Sequence, residues 1–481
     1  MRSALGKNIV PLIVATGLFM ENLDATVLAT SLPAIARDLG VNPIHLKLAL
    51  TTYLLALAVF IPASGWLADR LGAKRVFRAA IVVFAVGSIA CALSTSLATL
   101  VAARILQGIG GAMMVPVGRL IVWRAVPKAE VIGAVAWLTI PALVGPVLGP
   151  PLGGFITTYF NWRWIFWINV PVAVLGVIFV TRFIPHLREA EPRNFDMTGF
   201  LLIGPGLSLF LSGLTLMGTD IVAERAAWAI VAVGTALLAA YVWHAGRTSA
   251  PLIELRLLHI GTFRAAVLGG FLFRVGIGAS PFLLPLLFQA GFGMTAFQSG
   301  MLTFATGVGA IVMKTQVAKV LRRFGYRRVL VANAAIAALF MALPAVFTVE
   351  TPALLILAIF LVGGLSRSLQ FTSLNTLAYA DMPDDKLSSA TSFSAVLQEI
   401  SRAAGVAVAA FGLELMYRID GGGPLDAQHF PAVFMLIAAL ALASAIFFWR
   451  LPKDSGAALL GQSAPIRETE RPGRRREDAT G

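Results

Sequence analysis

Apolar runs of membrane-spanning length recur so often along this 481-residue chain that no soluble core could hold them. A run of about 18 or more apolar residues is long enough to cross the hydrocarbon of a bilayer as a helix. Hydropathy places about fourteen such segments, the first over residues 9–31 and the last over 430–450. Within a bilayer the backbone must satisfy its own hydrogen bonds, and for single apolar runs of this length the helix is the solution. The expected fold is therefore an all-α polytopic membrane protein with short connections. Composition agrees: 58% of residues are hydrophobic and 13% charged, against roughly 25% charged in soluble domains.

The formal net charge is +14. In a soluble protein that excess would suggest nucleic acid; here it is read as topology, because Lys and Arg collect in cytoplasmic loops. With the N-terminus placed inside, the inner loops, helix ends and termini hold 28 basic residues. The outer loops hold five: Arg37, Lys47, Arg163, Arg225 and Arg418. Five more lie within spans: Arg104, Arg274, Lys314, Arg367 and Arg402. Both termini are thus expected in the cytoplasm, and no nucleic-acid partner is expected. The first apolar segment starts near Ile9 and passes Asp24 without a small-residue cleavage site, which reads as a retained span. The single cysteine, Cys91, permits no internal disulfide, and the five scattered histidines form no ligand pair, so neither metal nor cofactor is expected.

One loop pattern occurs twice. Gly65-Trp-Leu-Ala-Asp69-Arg70-Leu-Gly72-Ala-Lys74-Arg75 joins the second and third spans. Arg322-Arg323-Phe-Gly325-Tyr-Arg327-Arg328 joins the tenth and eleventh, and aligning Gly72 with Gly325 sets Arg70 on Arg323 and Lys74 on Arg327. Duplicated halves are a mark of secondary transporters. The expected organisation is a six-helix bundle over 1–190, two inserted helices over 191–250, a second six-helix bundle over 251–452, and a disordered basic tail over 453–481.

Enzyme chemistry finds no support. No G-x-x-x-x-G-K-[ST] loop is present, Gly108-Ile-Gly110 and Gly276-Ile-Gly278 lie inside spans as packing glycines, and no Ser/His/Asp arrangement can be argued. Intramembrane charges are more informative, since each costs at least about 2.5–3.5 kcal/mol at a helix centre and so faces a cavity or a partner. Glu21 and Asp24, three apart, share one face of the first span. Asp24 and Arg104 each fall roughly 10 Å from the outer ends of their spans. They can pair, either as a structural ion pair or as a proton site modulated by the arginine. In the second half, Glu399 faces three candidate partners or cavity groups, Arg274, Arg367 and Arg402, with a Glu399–Arg367 or Glu399–Arg402 pair as the plainer reading. Lys314 and Glu414, near helix ends, are expected to snorkel.

The fifth span carries Gly145-Pro146-Val-Leu-Gly149-Pro150-Pro151-Leu-Gly153-Gly154. Glycines four apart admit close helix contact, and the prolines bend the helix. The Trp162–Trp167 stretch that follows is read as an aromatic belt at the outer interface.

At these residues the chain resembles the major facilitator superfamily over nearly its whole length. Gly65 to Arg75 is similar to that superfamily's inner-loop signature, departing from it at Ala73; the resemblance implies a charge-relay latch at Asp69 and Arg70. Leu100 to Gly110 is similar to its span-four motif, whose arginine, here Arg104, is implicated in proton transfer. Gly145, Gly149, Pro150, Gly153 and Gly154 fit its antiporter motif at every fixed position. Leu23-Asp24-Ala-Thr26 resembles the span-one motif of the fourteen-helix drug:proton antiporters of the EmrB/QacA type, with Ala29 where an Asn is frequent. Trp162 to Pro171, Ala112 to Leu120 and Ser373 to Leu377 resemble multidrug exporters of that subfamily.

The resemblance implies two six-helix bundles plus two extra helices. It also implies a multi-pass protein of the bacterial inner membrane that exports hydrophobic or amphipathic drugs in exchange for protons. Its partners would be a small-molecule substrate, protons and lipid; the expectation is a monomer, with other efflux components as candidate partners. Proton coupling falls to Asp24, Arg104, Glu21 and Glu399, and substrate contact to Glu21, Arg274, Arg367, Glu399 and Arg402. Gly65, Asp69, Arg70, Gly72, Lys74, Arg323, Gly325 and Arg327 form the gating loops. Two alternatives stay open: export of an organic anion or metal chelate recognised by the arginines, and a non-transporting scaffold or sensor, which a closed, fully ion-paired core would favour.

Overall fold

Apolar helices account for nearly all of the computed structural model, which describes residues 2–126, 131–185, 195–217, 222–249, 251–383, 386–421 and 425–460. The expected disordered tail lies almost entirely outside the described residues. The first eight long helices are α1 (Arg2–Leu39), α2 (Lys47–Leu71), α3 (Ala73–Ala92), α4 (Leu97–Ala125), α5 (Val131–Tyr159), α6 (Asn169–Phe183), α7 (Met197–Leu216) and α8 (Glu224–Ala245). Then follow α9 (Gly261–Gly291), α10 (Ala296–Lys314), α11 (Tyr326–Val346), α12 (Ala353–Leu377), α13 (Leu387–Ile419) and α14 (Ala427–Trp449). Thirteen segments are long and apolar enough to cross a membrane, and α5 is a further helix of 29 residues. No strand occurs among the described residues.

Packing repeats between the halves. In the first, α1 lies against α5, α4 and α6, and α3 against α4 and α6, while α2 meets α4. In the second, α9 lies against α13 and α14, α11 against α12 and α14, and α10 against α12. These are the same pairs shifted by eight helices, the α1–α4 contact answering to a much slighter one between α9 and α12. The two bundles meet along α5–α10 and α2–α13. The inserted hairpin α7–α8 packs on itself and touches α2 and α13 at the rim of that contact. Phe60 packs on Phe200 and Trp66 on Phe195, holding the hairpin against α2.

Lipid tails are as apolar as leucine, so helix association here depends on close packing at small residues. Gly110 shows how tight the fit is: a Cβ there would sit 2.5 Å from the backbone nitrogen of Phe84 on α3. Gly278 on α9 is pressed against the backbone of Arg402 on α13 in the same way. The packing glycines expected from the sequence thus lie at helix crossings.

The repeated loop is a repeated conformation. Gly72 has φ 92° and ψ 130°, and Gly325 has φ 75° and ψ 160°. Each ends one helix and begins the next, in a region of φ that other L-residues rarely enter. At the base of the hairpin, Asp196 caps α7 through Gly199 N–H and also accepts from Leu252 N–H and His244 Nε2. Burial pushes the Asp196 carboxyl up, but the hydrogen bonds from Gly199, His244 and Leu252 prevail and hold it below the usual aspartate range.

Candidate functional site

Asp24 and Glu21 leave one face of α1 but enter different environments. Asp24 is 3% exposed and turns into the first bundle. Its Oδ2 accepts from Arg104 Nη1 at 2.5 Å, and its Oδ1 accepts from Gln107 Nε2 at 2.8 Å and Asn169 Nδ2 at 3.1 Å. Ser88 Oγ accepts from the same two amides. Arg104 also donates from Nε to the Ala49 carbonyl and stacks over Tyr53 at 4.1 Å. Five helices, α1 to α4 and α6, therefore close one buried polar cluster around one ion pair. The expected Asp24–Arg104 pair is present, and every oxygen of Asp24 is engaged.

Glu21 keeps outside the Asp24 cluster. Its Oε2 is buried without a hydrogen-bond partner. A Cβ on Gly111 would sit 3.2 Å from Tyr53 Oη and 3.7 Å from Glu21 Cγ, which places the side chain along α4 beside Tyr53. The charges that act on it include Glu399 and Arg402 of α13. Glu399 is 6% exposed and pairs through Oε1 with Arg402, while its Oε2 has no partner. Of the two expected pairs, the Glu399–Arg402 pair forms and Glu399–Arg367 does not. The Arg402 side chain is nevertheless 42% exposed in the middle of its helix, so space adjoins it.

Arg274 is buried on α9, donates from Nη2 to Asn375 Oδ1 at 3.2 Å and lies over Phe371. Arg367 has no hydrogen-bond or ion-pair partner among the described residues, and it lines a cavity of about 260 Å³. Glu21, Arg274, Glu399 and Arg402 do not line that cavity. Of the five residues expected to share a substrate cavity, Arg367 alone lines this chamber, whose walls come from α9, Pro281 and Pro285 included, and from α10, α11 and α12; the other four make up the polar centre.

The glycines of α5 explain the closure at the end of the molecule opposite Gly72. Gly145 lies against Asn22 and Leu23 of α1, Gly149 against Thr26 and Gly153 against Val27 and Thr30. Gly154 faces the other way, onto the Ala296 carbonyl of α10, and Gly300 returns the contact onto the Pro150 carbonyl. At this end Gln289 Nε2 donates to the Thr30 carbonyl at 2.8 Å and Phe297 N–H to Thr158 Oγ1 at 3.0 Å, both between bundles.

Two loop-end assignments are corrected here. Lys47, expected in an outer loop, is fully buried at the start of α2, and its Nζ has no hydrogen-bond partner. The carboxylate that acts on it is Glu414 of α13, itself 7% exposed rather than snorkelling, and bonded to Arg418 Nε at 3.1 Å. Lys314 is exposed at the end of α10. The aromatic stretch also divides: Trp164 is exposed, whereas Trp162 and Phe166 are buried, Trp162 donating to Asp38, which pairs with Arg163.

In the inner-loop signature, Asp69 pairs with Arg124 at the end of α4 at 2.8 Å. Arg70 stacks on Trp66, and Lys74 donates to the Thr181 carbonyl of α6. In the second loop Arg323 lies over Phe324 and Arg327 over Trp449. The partners of the latch were not legible beforehand. Gln107, Asn169 and Ser88 were missed as site residues; Gln107 and Asn169 stand inside the quoted motifs, but neither is ionisable, and only the fold brings them to Asp24.

The Major Facilitator Superfamily model matches residues 14–406 and 266–475. A Salmonella paratyphi A protein named for multidrug resistance, MdtD, is 39% identical over 452 residues, covering 92% of this chain and 94% of its own length. The protein of the same name from Klebsiella pneumoniae is 40% identical over 456 residues with the same coverage. Among solved structures, a D-xylose–proton symporter aligns with TM-score 0.66 at 15% identity over 93% of this chain and 98% of its own. The human organic anion transporter MFSD10 aligns with TM-score 0.59 at 18% identity, over 92% and 99%. At those identities the solved structures speak for the fold alone.

Proposed function

The chain belongs to the major facilitator superfamily, and on that premise we propose that it is a proton-coupled antiporter that exports hydrophobic or amphipathic compounds. The observation that carries this reading is the pair of carboxylates Glu21 and Glu399. They sit on helices of different bundles, the Glu399 charge bears on Glu21, and each keeps one buried oxygen without a partner. A proton on either removes their mutual repulsion and lets the bundles approach. A cationic group of cargo between them has the same effect. Proton and cargo therefore compete for one place, and competition of that kind yields exchange when the two ligands favour different states.

The ordering of carboxylates changes from the sequence-based expectation. At Asp24 an incoming proton must displace a donor, because Arg104, Gln107 and Asn169 already occupy the carboxylate. At Glu21 it need not. We therefore assign proton exchange first to Glu21 and Glu399, and to Asp24–Arg104 the task of tying α1 to α4 so that the state of Glu21 is felt by the first bundle. The bundles over 1–190 and 251–452 would rock about the α5–α10 and α2–α13 contacts, with 191–250 following at the rim. The basic-residue asymmetry of the sequence supports a cytoplasmic side for both termini and for the Gly72 and Gly325 loops; the reading sets the protein in a bacterial inner membrane, acting as a monomer. The closed end is then the outer one. A scaffold without transport is disfavoured by the chamber and by the free carboxylate oxygens.

Inside-out vesicles energised to be acidic inside test the reading. Added substrates should release protons from wild type, and Glu21→Gln with Glu399→Gln should abolish the release. Release undiminished in the double variant would overturn the assignment.

A further inference from the structure

The chamber of about 260 Å³ is bounded by α9, α10, α11, α12 and α14, and reaches α1 and α5 at Thr26 and Pro146. Its walls are apolar, with Pro281, Phe340, Met341, Phe360 and Phe434 among them. Arg367 is the one ionisable residue on the lining, and it has no carboxylate or hydrogen-bond partner among the described residues. Among the described residues the charge that bears on it is Arg402, of the same sign. Thr26, Thr30 and Thr303, which also line the chamber, donate their hydroxyl protons to carbonyls of their own helices. A cation entering would thus meet a like charge and no anion to pair with.

A guanidinium in apolar surroundings without a counter-charge is costly to keep. Its flat fork of N–H donors matches a carboxylate or sulfonate through two parallel hydrogen bonds. We propose that this chamber is a binding site for an amphipathic monoanion, its acidic head on Arg367 and an apolar body of about two fused rings among the phenylalanines, Met341 and Pro281. The proposal rests on the transport reading for its purpose, since it names a further cargo class. It leaves the exchange of proton and cationic group at Glu21 and Glu399 in the polar centre, and gives the anion its own place at Arg367. A hydrophilic polyanion does not fit such walls.

Binding rather than flux tests it, so that failure of proton coupling and failure of the site are read apart. The full chain in lipid nanodiscs is titrated calorimetrically with 2-naphthoate, 2-naphthamide and 2-naphthylmethylammonium, which share one apolar body and differ in head charge. Naphthoate should bind about tenfold or more tighter than the other two, the scale of a charge-assisted hydrogen-bonded pair. Arg367→Gln should remove that preference and keep the amide affinity, which also shows that the variant is folded. Arg367→Lys should restore part of the preference, and Ala310→Phe, which fills the chamber, should abolish binding of all three. Equal affinities in wild type, a preference for the ammonium, or a naphthoate preference that survives Arg367→Gln each overturn the proposal. Naphthoate binding as expected, with no compound releasing protons from vesicles, leaves the site standing and removes the coupling reading instead.

Discussion

Arg104 donates to Asp24 across 2.5 Å, and the two side chains are 0% and 2% exposed. Breaking a buried pair from one side leaves the other charge uncompensated, at a cost of about 3–5 kcal/mol. Asp24→Asn should therefore lower the thermal midpoint of the purified protein markedly. Adding Arg104→Met to Asp24→Asn should return part of the loss, because it removes the stranded charge. Thermal melts of wild type, both single variants and the double variant measure the coupling. An Asp24→Asn protein as stable as wild type would show that the pair is not buried as described.

Glu21 and Arg367 should divide by cargo. Glu21→Gln should weaken export of cationic compounds more than of neutral ones, whereas Arg367→Gln should do so for anions. Efflux assays with dyes matched in size and differing in charge give the comparison. Equal losses across charge in both variants would contradict separate compartments.

Gly149 and Gly154 should fail differently although they share a motif. A Cβ on Gly149 meets Thr26 Oγ1 within the first bundle, and a Cβ on Gly154 meets the Ala296 carbonyl across the bundles. Gly149→Ala should destabilise by about 1–3 kcal/mol and be relieved in part by Thr26→Ala, which removes the Oγ1 contact and leaves the Cβ. Gly154→Ala has no side chain to trim opposite it, so it should push α5 from α10 and open the closed end. In a Cys91→Ser background, labelling of Ala29→Cys by an impermeant maleimide from outside should rise in Gly154→Ala and stay low in Gly149→Ala.

Lys47 and Glu414 sit buried across the bundle contact of α2 and α13. Glu414→Gln takes away the carboxylate that acts on Lys47 and should also open this end, read by the same maleimide labelling. Lys47→Met combined with Glu414→Gln should reclose it. Labelling unaffected by Glu414→Gln would exclude this contact as a lock.

Asp69 pairs with Arg124 far along the chain from Glu21 and at the opposite end of the fold from Lys47. Asp69→Asn and Arg124→Gln should each slow turnover with little change in substrate affinity, as expected of residues that hold a state rather than cargo. Exposed at 17% and 23%, the pair is worth little to stability. A large loss of affinity at normal turnover would place Asp69 in the binding site instead.

Local chemistry fixed what is local. Hydropathy along single segments determined the helices, since each span must satisfy its own backbone. The basic loops with Gly72 and Gly325 announced the repeat, since only glycine readily takes the φ that both turns require. Spacing by 1.5 Å per residue was enough to set Asp24 beside Arg104. Tertiary structure decided which oxygen is free, because that depends on donors 83 and 145 residues away at Gln107 and Asn169. It also buried Lys47, which the sequence leaves at the end of a loop, by laying α13 over it. The Glu399–Arg402 pair is local too, three residues apart on one helix; what tertiary structure decided is that Arg367, with no counter-charge among the described residues, faces an apolar chamber that α9, α10, α11 and α12 close around it.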